Sequence, residues 1–368
     1  RKGSMNPTRR VSVTGNSNYG YLSGDTYPGD PSSYTRLTSI IRFDFSNDDT
    51  YHSPTAAISA VSPPTVRAAV SSPAYGYYGG GYISSGSSTF VERIDFSNDT
   101  ANLVAKGSLS EARQSLGATG TSSYGYFAGG NTNPGGTYRT TVDRLDYSND
   151  TADLVAKGPL SFVKKEFGAS SSDSYAYFGG GYNIVPGGNN YLSSTDRLDF
   201  SNDTATAVAK GNLSRNRNYI GATSASVTAV APVQPPFSVP AQSPVPGPSF
   251  AYFAAGNLGP NWNAISSIDR IDYSNDTATA STKGALTAVK YAMSGCGTKE
   301  YGYIGAGGQQ PGPIFSSTDR IDYSNDTATA LARGKLNRAA NSTASASNTT
   351  YGYWAGGMTP YPTPTSKV

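Results

Sequence analysis

The sequence predicts an all-β fold, a seven-bladed β-propeller of four-stranded blades. Three observations carry it: the composition, an internal period of about fifty residues, and the strand-length segments inside each period. The chain has 368 residues, of which 42 are Gly and 27 are Tyr, and only 14% are charged. That profile suits short strands and tight turns, and no stretch repeats Ala, Leu, Glu and Lys at helical spacing. The block R-[IL]-D-[FY]-S-N-D begins at Arg93, Arg144, Arg197, Arg270 and Arg320, with the variant RFDFSNDDT at Arg42. A second block, aromatic-small-aromatic followed by small residues, begins at Tyr19, Tyr75, Tyr124, Tyr175, Phe250, Tyr301 and Tyr351.

Each unit reads in a constant order. A GAT-like segment forms the first strand. YGYFAGG forms the second, with Tyr124 and Tyr126 on one face and Gly125 and Phe127 on the other. TVDRLDYS forms the third, where Leu145 and Tyr147 fill the seam between blades and Arg144 pairs with Asp146 on the opposite face. The Asp, Asn and Ser of DYSND favour a tight turn into the fourth strand, TADLVAKG, and a link such as PLS leads to the next unit.

The ends bear on the last blade. KGSMNPTRR at Lys2 aligns with KGSLSEARQ at Lys106, so the chain is expected to begin just after a fourth strand. YGYWAGG at Tyr351 is followed by eleven residues, so strands three and four of blade seven are expected to be missing. The last blade is then incomplete, or completed in trans by another chain; the alternative is a six-bladed ring with a C-terminal extension. The whole chain, 1–368, is expected to be one propeller domain, with a Pro-rich insertion at 231–249 in blade five that cannot be a central strand. Phe237 is the natural anchor if that insertion clamps a neighbour.

The order YGYFGGG, STDRLDFSNDT, LSxAR resembles the kelch repeat, the propeller unit of the galactose-oxidase central domain. The resemblance covers nearly the whole chain, and it implies the propeller fold. It departs where kelch repeats carry a Trp after the turn, since Ala278 and Thr279 stand there. The style of the repeat is also similar to that of repeat proteins of tailed phages of aquatic bacteria.

Most catalytic chemistry is excluded by supply. His52 is the only histidine and Cys296 the only cysteine, so neither a nucleophile and base pair nor a zinc site is available. The copper chemistry of kelch oxidases, which requires a Tyr-Cys cross-link and His ligands, is excluded for the same reason. A net charge of +3 with scattered Lys and Arg argues against nucleic acid, and no apolar run is long enough for a membrane helix. Asp146, Ser148 and Asp150 have the spacing of calcium ligands, but the distal Glu is lacking, so a structural hairpin is the expected role. The expectation is therefore no enzyme activity, no cofactor and no metal. N-D-T also makes glycosylation sequons of Asn98, Asn149, Asn202, Asn275 and Asn325.

Function is expected where the units differ. The stretches between strands two and three vary most, and alternate loops of an up-down blade emerge on one face. They carry Tyr27, Tyr82, Tyr138, Tyr182, Tyr191, Trp262, Phe315 and Tyr361 among Gly, Asn and Pro. Rigid aromatics and amides on loops over a stiff scaffold make a recognition surface that suits sugars, or else they merely cap the disc. The expected role is a non-enzymatic structural and recognition module of an extracellular or virion assembly, a tail, fibre or adhesin component, contacting other subunits and surface glycans. The alternative is a soluble secreted lectin-like propeller.

Overall fold

Small first strands crowd together, aromatic second strands fill the seams, and in units two to six the D-[FY]-S-N-D turn reaches across to the preceding unit. The computed structural model describes residues 8–16, 18–26, 35–44, 54–58, 63–185, 188–224, 250–259, 263–298, 300–309, 311–336, 339–347, 352–357 and 366–367. His52, the 231–249 insertion with Phe237, and Tyr27 lie outside the described residues.

Six blades of four antiparallel strands are built in sequence order. Blade three is typical: Gly117–Gly120, Tyr124–Ala128, Val142–Asp146 and Val155–Ala156. The only helical turns among the described residues are two short 3-10 turns, Phe200–Asn202 and Tyr323–Asn325, in the D-[FY]-S-N-D hairpins of blades four and six. The first strand of each blade touches the first strands of its neighbours.

The expectation of seven blades is corrected to six, the alternative count. After blade six the chain forms a three-stranded sheet, Ala344–Ser347, Gly352–Ala355 and Ser366–Lys367, with no fourth strand among the described residues. Its first strand touches those of blades six and one, so it stands between them. Ser366 pairs opposite Trp354 and Lys367 opposite Tyr353, the register held by Asp143 and Arg144 in blade three. The third-strand position is thus occupied there, contrary to the expectation that it is missing.

The seams are built from the second strand. Tyr126 and Phe127 are both fully buried, and alternation sends them to opposite neighbours. Phe127 packs with Val70, Tyr77 and Leu145 toward blade two, while Tyr126 packs with Phe178 and Leu198 toward blade four. Each such side chain contributes roughly 1.5–3 kcal/mol by leaving water. Gly79 makes room for the incoming ring: a Cβ there would lie 2.6 Å from Phe127 Cε1.

The repeated hairpin is an inter-blade clip. Arg144 does not pair with Asp146 as expected. Its Nη1 donates to Asp203 of blade four at 2.8 Å, and its guanidinium lies 4.4 Å from the Tyr124 ring centroid. Tyr126 also donates to Asp203, at 2.9 Å, and Lys157 reaches the same carboxylate at 3.2 Å. The Gly158 N–H donates to the Asp203 carbonyl at 2.8 Å. Phe200, in the same turn, stacks on Tyr126 with centroids 5.1 Å apart. The Asp–Tyr–Arg–Lys cluster recurs around Asp150, Asp276 and Asp326, and at Asp99 with Tyr21 and Arg42.

The other residues of the clip hold its turn. Asp146 accepts from Ser148 N at 2.9 Å and from Ser148 Oγ at 2.7 Å. Asp146, Ser148 and Asp150 therefore do not converge on a common point, since Asp150 is held by Tyr77, Arg93 and Lys106 of blade two.

A second repeated device lies inside each of blades two to six. The L-[ST]-x-x-[RK] link brings a cation and a backbone N–H to the acid of the third strand. Ser161 N donates to Asp196 at 3.1 Å and Lys164 Nζ lies 2.8 Å from its carboxylate, both side chains fully buried. Arg113–Asp143, Arg217–Asp269 and Lys290–Asp319 repeat this pair, and Arg67–Glu92 forms it with the cation three positions later and a longer acid. Ala340 takes the cation position before the three-stranded sheet, where Ser366 takes the acid position.

Candidate functional site

Two sets of loops share one end of the blades. The residue just before a first strand pairs with the residue just after the second, as in Thr65 with Tyr82, Lys165 with Tyr182 and Asn218 with Asn257. The strand two-to-three loops therefore stand beside the links that enter each first strand. In those links Val66, Ser115, Glu166, Tyr219, Ala292 and Ser342 all have φ between 51° and 58°. Left-handed backbone in a non-glycine residue is held only where the surroundings enforce it. Here neighbouring links are tied together: Tyr219 N donates to Glu166 O at 3.1 Å, Ala292 N to Tyr219 O at 3.1 Å, and Ser342 N to Ala292 O at 2.6 Å.

This belt rims a cavity of about 770 Å³ whose lining includes Arg67, Tyr82, Gln114, Asn133, Glu166 and Tyr219. Glu166 brings a carboxylate to the rim. Its Oε2 accepts from Asn218 Nδ2 at 2.9 Å, and its Oε1 lies 3.1 Å from Lys165 Nζ. Burial, and then the charge and hydrogen bond of Glu166, push the Tyr219 hydroxyl well above its ordinary range.

Three of the expected aromatics meet beside Glu166. Tyr138 and Tyr182 are edge to face with centroids 6.0 Å apart, and Tyr182 and Tyr191 likewise at 5.3 Å. Lys165 Nζ lies 5.5 Å from the Tyr138 ring and 5.7 Å from the Tyr182 ring. Burial, with Glu166 second, pushes the Tyr138 hydroxyl up to about 12. Tyr138 is buried, whereas Tyr182 and Tyr191 are half-buried, so the last two offer ring surface to a ligand.

The other candidates are dispersed. Tyr82 lines the cavity from blade two, and Phe315 sits in blade six with its ring 5.5 Å from Lys290 Nζ. Trp262 and Tyr361 lie outside the described residues. Asn98, Asn149, Asn202, Asn275 and Asn325 are exposed at the tips of the clips, where each Oδ1 accepts from the Thr hydroxyl two residues on, as for Asn149 and Thr151 at 3.4 Å. The Asn and Thr of N-D-T thus both serve the turn.

Sequence reasoning missed Lys165, Glu166, Asn218 and Tyr219, because it looked for variation only between strands two and three. Comparing the links as well exposes them, since KKEF and RNYI stand where other units have RQSL or KYAM. Cys296 is buried, and burial pushes its thiol up to about 12, as suits a packed small residue. Among the described residues no three His, Cys, Asp or Glu side chains group to hold a metal ion, and no helix is long and apolar enough to cross a membrane. No protein-family model matches the chain, and no curated protein matches it.

Proposed function

We propose that this protein is a kelch-like, non-enzymatic module of an extracellular or virion assembly, and that it recognises a surface glycan. The single observation behind the glycan is the group formed by the half-buried Tyr182, Tyr191, Glu166 and Tyr219, of which Glu166 and Tyr219 line the cavity. Sugar CH faces stack on rings, while hydroxyls exchange hydrogen bonds with amides and carboxylates, so this chemistry accommodates a saccharide without any reacting group. These residues come from neighbouring links and loops of more than one blade, which gives several of them a grip on one ligand.

A glycan array read with the wild type and with Glu166→Gln tests recognition. Binding to a defined saccharide class, weakened about tenfold or more in the variant through loss of a charged hydrogen bond, is the expected result. Absence of binding across the array, or equal binding by both proteins, overturns it. Sizing of the native particle separates the assembly from the secreted lectin alternative: a clean monomer favours the lectin.

A further inference from the structure

Five clips join neighbouring blades, and the flank of blade six has the receiving half of a sixth. In blades two to five the receiving groups are a second-strand Tyr, a third-strand Arg and a Lys-Gly pair at the end of the fourth strand. The register places Tyr303, Arg320, Arg333 and Gly334 in these positions in blade six. No carboxylate pairs with them among the described residues, and no ring stacks on Tyr303 as Tyr323 stacks on Tyr252. Arg320 is held by the Tyr301 ring, 4.1 Å from its centroid. Tyr303 is half-buried where Tyr77, Tyr126, Tyr177 and Tyr252 are at 0% exposure, and Gly334 is exposed where Gly107, Gly158, Gly211 and Gly284 are buried.

The neighbouring three-stranded sheet adds a second feature. Among the described residues Ser366–Lys367 pairs with Gly352–Ala355 alone, which leaves its other edge to a further strand. A half-buried and an exposed arginine, a tyrosine hydroxyl, an uncovered ring and an open strand edge are the complement of one shape, which the chain itself displays five times.

We propose that this flank docks a strand-turn-strand segment of a partner polypeptide with Asp-aromatic-Ser-Asn-Asp chemistry. Its last aspartate takes Tyr303, Arg320 and Arg333, its aromatic ring covers Tyr303, and its strand extends the three-stranded sheet. The proposal deepens the assembly reading above, on which it rests. Peptide binding is read apart from particle size, so either reading fails on its own evidence.

The test is a titration of the 368-residue protein with a labelled peptide of the sequence DYSNDTADLVAKG, taken from Asp146 to Gly158. Saturable binding is expected, weakened about tenfold or more when the second aspartate of the peptide is changed to alanine, and likewise in Arg320→Ala. If Arg320→Ala fails to fold, the exposed Arg333→Ala carries the comparison. Absence of saturable binding at millimolar peptide, or equal binding by the alanine peptide, overturns the proposal. Self-association that is abolished by Arg320→Glu overturns it too, by placing a second copy on the flank.

Discussion

Gly158 sets how closely blade three approaches blade four. A Cβ on it would lie 1.6 Å from the carbonyl oxygen of Ala205, and one on Gly107, Gly211 or Gly284 would lie 1.5 to 1.7 Å from the equivalent carbonyl oxygen of Ala152, Ala278 or Ala328. Backbone cannot swing aside as a flexible side chain does, so Gly158→Ala is expected to lower stability by about 1–3 kcal/mol or more in urea denaturation. Charge is equally exacting at Asp269. Its partner Arg217 is fully buried, so Asp269→Ala strands a guanidinium and costs about 3–5 kcal/mol. Replacing both with apolar residues, as in Arg217→Met with Asp269→Leu, is expected to cost much less, because no charge is then left in the interior. An equal loss in the single and double variants contradicts that account.

The hairpin is the element that joins one blade to the next, and its protonation sets a stability window. Burial opposes ionisation of Asp150, yet hydrogen bonds from Lys106 and Tyr77, with the charge of Arg93, hold its carboxyl below the usual range. The hydrogen bond from Ser148 does the same for Asp146. A carboxyl depressed in the folded state contributes stability that is present above its unfolded value, about 4, and is lost as pH falls through the folded value. The tyrosines of the clip move the other way. Burial first, then the partner aspartate, raises Tyr77, Tyr126, Tyr177 and Tyr252. Their contribution is complete below about 10 and is lost as pH rises beyond it. Thermal melts across pH are therefore expected to show a plateau between about 4 and 10, and the share of phenolate absorbance that comes from these buried tyrosines is expected to rise only with alkaline unfolding. Complete ionisation of all 27 tyrosines in a protein that is still folded runs against the burial described here.

Across the whole molecule, the period, the strand order and the turn chemistry were legible because each repeats locally. DYSND reads as a hairpin from five residues, and Leu145 and Tyr147 read as seam residues from their alternation. What those residues grip was not legible. Arg144 meets Asp203 across 59 positions, and Glu166 meets Asn218 across 52, in contacts created by the packing of successive blades. The local pairing of Arg144 with Asp146 was the natural guess at spacing two, and the sheet defeats it by turning Asp146 into its own turn. The seventh blade was misread because the register of Ser366–Lys367 carries neither the acid nor the arginine that marks a third strand elsewhere. The proposed recognition group was half legible: its tyrosines Tyr182 and Tyr191 lie in a loop that varies openly, while Glu166 and Tyr219 lie in links that look like scaffold.

The central claim is that scaffold and recognition are separate, with the repeated clip supplying the first and the non-repeated rim the second. One paired measurement tests it most directly: melting temperature and glycan affinity, taken on Asp203→Asn and on Tyr182→Ala. Asp203→Asn weakens charged hydrogen bonds worth about 1.5–3 kcal/mol each and is expected to lower the melting temperature by several degrees with affinity unchanged. Tyr182→Ala removes ring surface from the rim and is expected to reduce affinity about tenfold with little change in melting. If Tyr182→Ala leaves affinity intact, or if Asp203→Asn abolishes binding in a protein that is still folded, scaffold and recognition are not divided in this way.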